Sequence, residues 1–317
     1  MQGLIIAGVV AVGGIGIVTA NSETSVVRII DGDTLVANVG GRETTIRLLN
    51  VDTPETKDPN QAPECLGPEA TDFLSGRLPV GSKIELKYDQ DHTDRYGRTL
   101  AAVYQSGSLV NAEIARMGLG VAVVFEPNRK YYDEVLVAQK AAADAKVGLY
   151  NAQVGCTLPA EVDRVVQALQ QVSSQPPTTS SAAAVAVDTA AAAMILGQGL
   201  ETTLDAIDSE SHALRSAAYA TLTVIYRSRL DPAMARATQL KVERKEDLIR
   251  LQTEEKRLAE EARLAEAARL AEEARVAEVA RLAEEARKAA AAAPAPVPPQ
   301  KQTSTKKSTT IETDEPS

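Results

Sequence analysis

The sequence is poor in aromatic residues, histidine and cysteine. Aromatic residues make up 3% of its 317 residues, and tryptophan is absent. His92 and His212 are isolated and share no spacing with the two cysteines, which argues against the usual Cys/His zinc motifs. We therefore interpret both histidines as surface or structural residues.

The chain also lacks an excess of positive charge. Its formal net charge is −9, and residues 26–150 carry 14 Lys and Arg against 18 Asp and Glu, a net charge of −4. Proteins that coat nucleic acids are normally basic, so the composition disfavours this class of protein. Any hold on a polyanion must come from a local cluster of arginines or from a bound cation.

Composition divides the chain into unequal parts. Most aromatic residues lie between Phe73 and Tyr150, glycine is scarce after Gly155, and Ala, Glu and Arg dominate the last third. This predicts one compact domain of roughly 130 residues followed by a long extension. We place the domain at 26–158, a linker at 159–185, an alanine-rich helical extension at 186–293, and a disordered Pro/Lys/Thr-rich tail at 294–317.

The first twenty residues contain no charged side chain. An apolar stretch of this length suits an export signal or a membrane span, and Val18-Thr19-Ala20 ends it with small residues. No Lys or Arg precedes it, so an uncleaved anchor is the alternative. We assign residues 1–25 to a signal peptide or N-terminal membrane anchor, and we expect an exported protein, secreted or anchored to the outer face of the membrane through residues 1–20.

Short alternating runs predict an α+β domain. Strands are expected within 26–39 (two), 43–51, 83–88 and 100–104, with Gly40-Gly41 as a turn. Helices are expected at 68–78, at 111–118 with Asn111 as N-cap, and at 129–146. A small closed five-stranded barrel with three packed helices is the simplest way to bury this pattern.

The stretch RLLNVDTPET concentrates charged residues around one strand end. It contains Arg47, Asp52 and Glu55, and it is flanked by an upstream Asp31–Thr34 (DGDT) and a downstream Arg95–Arg98 (RYGR). Each motif alone is more often a structural turn or a loop start. The functional hypothesis depends on their order and spacing together.

Hydrolysis of a phosphodiester requires an activated water and neutralisation of charge on the phosphate. A hard divalent cation held by Asp33 and Asp52 would orient the water. Glu55 could take the proton of that water. Arg47 and Arg98 could donate forked hydrogen bonds to the phosphate oxygens.

Five motifs in series resemble the thermonuclease, or staphylococcal nuclease, family. They are Asp31–Thr34, Arg47–Leu49, Val51–Thr56, Gly67–Ala70 and Asp94–Arg98. The resemblance covers about residues 26–150. It implies an OB-fold barrel with three helices, and a calcium-dependent endonuclease on DNA and RNA that leaves a 3′-phosphate and a 5′-hydroxyl.

By motif position, the resemblance implies that Asp33 and Asp52 ligate Ca²⁺ together with the Thr53 carbonyl. It implies that Glu55 is the general base. No obligate protein partner is expected.

The same resemblance assigns phosphate binding to Arg47 and Arg98, and nucleotide contact to Tyr96 and Arg95. The chain departs from the family pattern where Val123-Val124-Phe125 replaces a tyrosine-rich segment and where Glu126 replaces a basic residue. Loss of an aromatic ring should weaken base stacking by roughly 1–3 kcal/mol per stacked base.

The two cysteines, Cys65 and Cys156, fit an exported protein with one disulfide. A bridge would close a long loop and stabilise the fold by ~4–5 kcal/mol. The alternatives are two free thiols or a site on a partner.

The extension contains a hexapeptide repeat close to R-L-A-E-E-A. An arginine recurs at 257, 263, 269, 275, 281 and 287, and a period of six spreads the leucines over three faces of a helix. This is not the seam of a coiled coil, so a stiff charged spacer is favoured over weak self-association. We predict one helix over 182–230 and another starting at Asp231-Pro232.

Three hypotheses follow: an exported calcium-dependent nuclease, a catalytically silent nucleic-acid-binding module on an OB-fold, and a cell-envelope helical scaffold with an incidental barrel. Binding alone would not require Glu55, which favours the nuclease.

Overall fold

The computed structural model describes residues 23–57, 62–209 and 214–292. Residues 1–22 of the predicted signal or anchor segment (1–25) and the whole predicted disordered tail lie outside these residues. The strands within them are β1 Ser25–Ile29, β2 Thr34–Val39, β3 Arg42–Leu48, β4 Val51–Asp52, β5 Glu85–Lys87, β6 Thr99–Gln105, β7 Ser108–Leu109 and β8 Val121–Ala122.

The main sheet is mixed, with the strand order β1-β2-β3-β6-β5. Strands β1, β2 and β3 form an antiparallel meander, and Gly40 and Gly41 have positive φ angles of 61° and 84° at the predicted hairpin turn. Strand β3 runs parallel to β6, while β5 and β7 pair antiparallel with β6. Strands β4 and β8 form a separate two-stranded sheet.

The predicted five-stranded closed barrel is not confirmed. Strands β1 and β5 remain the two ends of the sheet, joined only by an isolated bridge between Ser25 and Lys83 and by backbone hydrogen bonds to residues 81–84. The α+β class with helices packed on a sheet is what the structure has.

Three helices lie close to their predicted positions: α1 Gly67–Arg77, α2 Val110–Arg116 and α3 Tyr132–Ala145. The prediction that Asn111 caps α2 is wrong. Asn111 is fully buried, where it accepts a hydrogen bond from the Val103 amide at 3.0 Å and donates one to the Leu49 carbonyl at 2.7 Å. Satisfying two buried backbone groups in the core outweighs capping the helix.

The linker predicted at 159–185 is replaced over its first half by helix α4, Leu158–Gln170. Thr157 caps this helix, and a buried apolar face belongs to the same core as the strands and α1–α3. That face consists of Leu158, Val162, Val165, Val166 and Leu169. The helical spacing of these apolar residues lets the segment pack on the core as a helix, despite the polar residues around it.

Helices α5 (Ser180–Ser209), α6 (Leu214–Tyr219) and the start of α7 (Thr223–Ala292) replace the single helix predicted over 182–230. Within the described residues, α5 is the one helix long and apolar enough to cross a membrane by length and composition. One of its faces is nevertheless buried in the protein, including Leu200 and Leu204.

A second helix start at Asp231-Pro232 is also wrong, because α7 continues through Pro232. Proline inside a helix costs about 3 kcal/mol. Leu230, Ala233 and Ala237 on either side are buried, and this packing keeps the helix continuous. Arg236 also donates to the carbonyls of Gln170, the last residue of α4, and Val172, both at 3.3 Å.

Contacts divide the chain into two units, Met1–Leu251 and Gln252–Ser317. In the described part of the second unit, residues 252–292, every side chain is exposed. Arginines of the repeat pair with glutamates three residues before them and four residues after them, as Arg269 does with Glu266 and Glu273. Such pairs are the expected support of a solvated helix.

Candidate active site

A cleft of about 600 Å³ contains every predicted site residue outside the disulfide. It is lined by Asp33, Arg47, Asp52, Thr53, Glu55, Arg95, Tyr96 and Arg98, which come from three separate stretches of the chain. The predicted metal ligands, general base, phosphate-binding arginines and nucleotide-contacting residues therefore face one space.

Sheet register brings the first two stretches together. Thr34 at the start of β2 pairs with Arg47 in β3, so Asp33 lies beside Arg47. Gly32, directly before Asp33, lets the backbone pack closely against Ala70 and Thr53. A Cβ at position 32 would lie 2.6 Å from the Ala70 Cβ and 2.7 Å from the Thr53 Oγ1. The chain then reverses at Asn50, whose φ is 58°, and β4 begins.

Asn50 holds this reversal in place. It is buried and donates from Nδ2 to the carbonyls of Val123 and Asn128, at 3.0 and 2.9 Å. Its Oδ1 accepts the Tyr131 amide at 3.3 Å. The turn that presents Asp52 is thus fixed by the segment leading into α3.

Asp33, Arg47, Asp52 and Thr53 form the inner wall of the cleft. The Arg47 guanidinium lies between the two carboxylates, with Nη1 3.0 Å from Asp33 Oδ2 and Nη2 2.5 Å from Asp52 Oδ1. Nη1 also donates to the Val51 carbonyl at 2.8 Å. The Arg47 side chain is only 11% exposed, so these charges interact in a weakly screened environment.

Asp33 is held on both oxygens. Oδ2 accepts the Thr53 amide at 2.9 Å and the Thr53 hydroxyl at 3.0 Å, and Oδ1 accepts the Thr34 hydroxyl at 3.0 Å. The side chain of Thr53 thereby joins the two acidic stretches.

The inner wall carries more negative charge than Arg47 neutralises. Burial raises the pKa of Asp52 to about 6 even though Arg47 acts in the opposite direction, and the charges of Asp33 and Glu64 add to the rise. Burial and the charge of Asp33 likewise raise the pKa of Asp31 to about 6. A bound cation would offset both the cost of burying these charges and the repulsion between them.

Glu55 is exposed at the rim of the cleft, three residues beyond Asp52. Its Oε1 accepts the amides of Thr56 and Lys57, at 2.7 and 2.5 Å. Its own amide donates to Glu64 Oε2 at 2.8 Å. Glu55 is therefore accessible to solvent while its backbone is tied to a neighbouring residue.

Residues Asp94–Arg98 form the outer loop of the cleft. Gly97 has a φ of 82°, and Asp94 accepts the amides of Tyr96 and Arg98 on Oδ1, both at 2.9 Å. The Arg98 Nε donates to Asp94 Oδ2 at 2.6 Å. Although burial opposes it, these hydrogen bonds from Arg98 and the two amides hold the pKa of Asp94 below its ordinary value.

Tyr96 is the exposed ring of the outer loop, at 68% exposure. Arg95 Nη2 donates to the Tyr96 hydroxyl at 2.6 Å, and the Arg95 and Arg98 guanidinium carbons lie 4.8 and 5.5 Å from the ring centroid. An open aromatic face flanked by two cations is suited to a nucleotide, which has both a base to stack and a phosphate.

Comparison with known proteins identifies the region that carries the cleft residues named above, except Asp31 and Asp33. The family model described as "Staphylococcal nuclease homologue" matches residues 45–152. A protein named thermonuclease from Staphylococcus hyicus is 39% identical over 137 residues, which are 43% of this chain and 80% of that protein. The chain belongs to the staphylococcal nuclease family.

Two further relatives match stretches of similar length. The thermonuclease of Staphylococcus intermedius is 37% identical over 124 residues, which are 39% of this chain and 73% of that protein. Endonuclease YncB of Bacillus subtilis is 39% identical over 126 residues, which are 39% of this chain and 59% of that protein. Helices α4 to α7 lie beyond the residues matched by the family model.

In this staphylococcal nuclease homologue the inner wall offers oxygen donors suited to a hard cation. Asp33 and Asp52 supply two carboxylates on either side of Arg47, and Thr53 supplies a backbone carbonyl. No group of three His, Cys, Asp or Glu side chains forms a ready-made metal site in the part of the chain that the structure describes. Calcium takes six to eight oxygens, so water must complete such a shell.

The predicted disulfide is present between Cys65 and Cys156, with a Cα–Cα distance of 5.6 Å. It lies outside the cleft, between the loop that precedes α1 and the segment that leads into α4. No role in catalysis was expected of it.

Sequence reasoning missed Asp94 and Glu64 as contributors to the site. Asp94 was visible in the Asp94–Arg98 motif, where an acidic residue four positions before Arg98 could have indicated a pair. Glu64 gave no signal, because nothing in a proline-rich loop predicts a hydrogen bond back to the Glu55 amide.

Proposed function

We propose that this protein is an exported, calcium-dependent endonuclease that hydrolyses DNA and RNA. Water attacks phosphorus, the bond from phosphorus to the 5′-oxygen breaks, and the products carry a 3′-phosphate and a free 5′-hydroxyl. The observation that supports this most directly is the single cleft in which three acidic side chains and two arginines meet.

In this proposal Asp33, Asp52 and the Thr53 carbonyl hold Ca²⁺. A bound Ca²⁺ supplies charge neutralisation for the phosphate and a fixed site for water. The Arg47 contacts to Asp33 and Asp52 keep the two carboxylates close together before any cation binds. The raised pKa of Asp52, which burial causes first and the charges of Asp33 and Glu64 increase, supports the proposal because a cation would stabilise the buried carboxylate.

Glu55 acts as the general base. Its carboxylate is at the cleft rim, open to solvent, and its Oε1 is oriented by two backbone amides. It accepts the proton of the attacking water and leaves Arg47 and Arg98 to stabilise the charge that builds on the phosphate oxygens.

Whereas Arg47 contacts the substrate from the inner wall, Arg98 contacts it from the outer loop. Its side chain is 32% exposed and pairs with Asp94, which aims the guanidinium without enclosing it. Tyr96 and Arg95 contact the nucleotide next to the scissile bond, the tyrosine by stacking and the arginine by charge.

Export is supported by the uncharged first twenty residues and by the Cys65–Cys156 disulfide. Disulfides persist in oxidising compartments outside the cytosol. We propose that the protein is secreted or remains anchored to the outer face of the membrane.

The decisive experiment is digestion of plasmid DNA and of RNA with calcium and with EGTA. We expect cleavage only with calcium, and 3′-phosphate ends that block extension until a phosphatase removes them. The Glu55→Gln variant should lose most activity. The control is Glu43→Gln, which should retain activity, because Glu43 is an exposed residue of β3 whose carboxylate pairs with Arg28 of β1. Binding of DNA without cleavage in the presence of calcium would favour the silent binding module instead.

A further inference from the structure

Glu55 and Glu64 are joined by two reciprocal hydrogen bonds. The Glu55 amide donates to Glu64 Oε2 at 2.8 Å, and the Glu64 amide donates to the Glu55 carbonyl at 2.8 Å. Residues 55 and 64, nine positions apart in the sequence, are therefore held side by side. Glu55 itself is exposed, so these two hydrogen bonds fix the position of its backbone next to the inner wall.

The residue next to Glu64 is covalently anchored. Cys65 is bonded to Cys156, and the Glu64 carbonyl accepts the Gly67 amide at 3.0 Å at the start of α1. Thr157, directly after Cys156, is buried and caps α4, and Leu158 of α4 is 1% exposed. Glu64 is therefore connected through the Cys65–Cys156 bridge and Thr157 to a helix packed in the core.

Helix α4 lies outside the region that the family model matches, as does Cys156. Two further contacts join the added helices to the matched region. Gln139 accepts the Ala122 amide and donates to the Ala217 carbonyl of α6, and the Tyr219 hydroxyl donates to the Leu149 carbonyl. Helices α4 and α6 are thus joined to the matched region by the Cys65–Cys156 bridge and by these two hydrogen bonds.

We propose that Glu64 is a positioning residue for the nuclease reaction: it holds Glu55 at the cleft, and the Cys65–Cys156 bridge anchors it to α4. This inference depends on the function proposed above. A general base on a free loop would sample many positions, and holding it near the attacking water reduces the entropic barrier to reaction.

The test compares Glu64→Ala with Glu64→Gln. Alanine removes the acceptor of the Glu55 amide, whereas the glutamine carbonyl can still accept it. We expect Glu64→Ala to lower kcat about tenfold at unchanged KM, equivalent to ~1.4 kcal/mol, and Glu64→Gln to restore most of that loss. Glu69→Ala, an exposed neighbour on α1, is the matched control and should leave kcat unchanged.

A double-mutant cycle separates positioning from general stability. In a Glu55→Gln background there is no base left to position, so Glu64→Ala should cost little further activity. An equal loss in both backgrounds would overturn the proposal, as would full kcat in Glu64→Ala. A wild-type protein that cleaves no nucleic acid would instead overturn the proposed function.

The disulfide is tested by the paired change Cys65→Ser/Cys156→Ser, assayed well below its unfolding temperature. We expect a loss of kcat at unchanged KM and faster hydrogen exchange at the Glu55 and Glu64 amides. Adding Glu64→Ala to this double variant should lower kcat little further. Unchanged kcat together with unchanged exchange at both amides would show that the bridge does not anchor Glu64.

Discussion

The two sides of the cleft hold their arginines in opposite ways. On the inner wall, Arg47 is buried between Asp33 and Asp52 and is part of the fold's own charge network. On the outer loop, Arg98 pairs with Asp94 alone and keeps about a third of its side chain in solvent. Two residues with one proposed role in catalysis therefore have different roles in stability.

Asp52 of the inner wall and Asp94 of the outer loop also differ in what determines their pKa. Burial dominates at Asp52 and raises its pKa to about 6, whereas hydrogen bonds prevail over burial at Asp94 and lower its pKa. The inner wall accordingly stores unfavourable charge that a ligand can relieve, while the outer loop is already satisfied. This contrast supports the proposal that a cation would bind at the inner wall and that the outer loop is preorganised for substrate.

The largest expected effect comes from removing each arginine. Arg47→Ala and Arg98→Ala should each lower kcat by about 10²- to 10³-fold, because each removes a donor to the developing charge. Their stabilities should differ. Arg47→Ala leaves two buried carboxylates unpaired and should cost about 3–5 kcal/mol in metal-free protein.

Arg98→Ala should cost no more than about 1 kcal/mol, since its ion pair is partly exposed. Steady-state kinetics and thermal unfolding in EGTA check both variants. Equal losses of stability would contradict the difference between the inner wall and the outer loop.

A neutral residue at position 52 should stabilise the metal-free protein. The folded-state pKa of Asp52 lies above its unfolded value, so its contribution to stability is full below pH 4 and is lost as the pH rises through about 6. Asp52→Asn should therefore be more stable than wild type by about 3 kcal/mol at pH 8, with no gain at pH 4.

Asp94→Asn is the matched control with the opposite sign. Its folded-state pKa is lowered, so its stabilising contribution is present above the unfolded value and is lost as the pH falls through the folded one. Asp94→Asn should be less stable than wild type at pH 8. Urea unfolding in EGTA at both pH values decides the matter, and a destabilised Asp52→Asn at pH 8 would show that Arg47 outweighs burial.

Calcium should stabilise the wild-type protein through the inner wall. At a free concentration of one hundred times the dissociation constant, the gain is about 2.7 kcal/mol. The gain should shrink at pH 5, because protonated Asp52 is a poor ligand, and it should be absent in Asp52→Asn. Thermal unfolding with and without calcium measures it. An undiminished shift in Asp52→Asn would place the cation elsewhere.

The sequence predicted which residues meet in one cleft better than it predicted the fold around them. The cleft residues come from local motifs whose order survives in the chain, and strand register then brings Asp33 beside Arg47. The closure of the barrel depends on how β1 and β5 meet, which is a long-range property that no local pattern reports.

The helical part was harder for a related reason. Pro232 is a strong local signal for a helix start, but burial of Leu230 and Ala233 overrides it. Helix α4 was hidden in what composition suggested was a linker, and Glu64 is recognisable only once the loop ends meet. In each case tertiary packing, absent from a single sequence, decided the outcome.

The smallest expected effect concerns the ring of Tyr96. Tyr96→Ala should raise KM about tenfold at unchanged kcat, since a stacked base contributes roughly 1–3 kcal/mol. Tyr96→Phe keeps the ring and loses only the hydroxyl that accepts from Arg95, so its KM should stay near that of wild type. If phenylalanine raised KM as much as alanine, the Arg95 contact and not stacking would be what the outer loop offers the nucleotide.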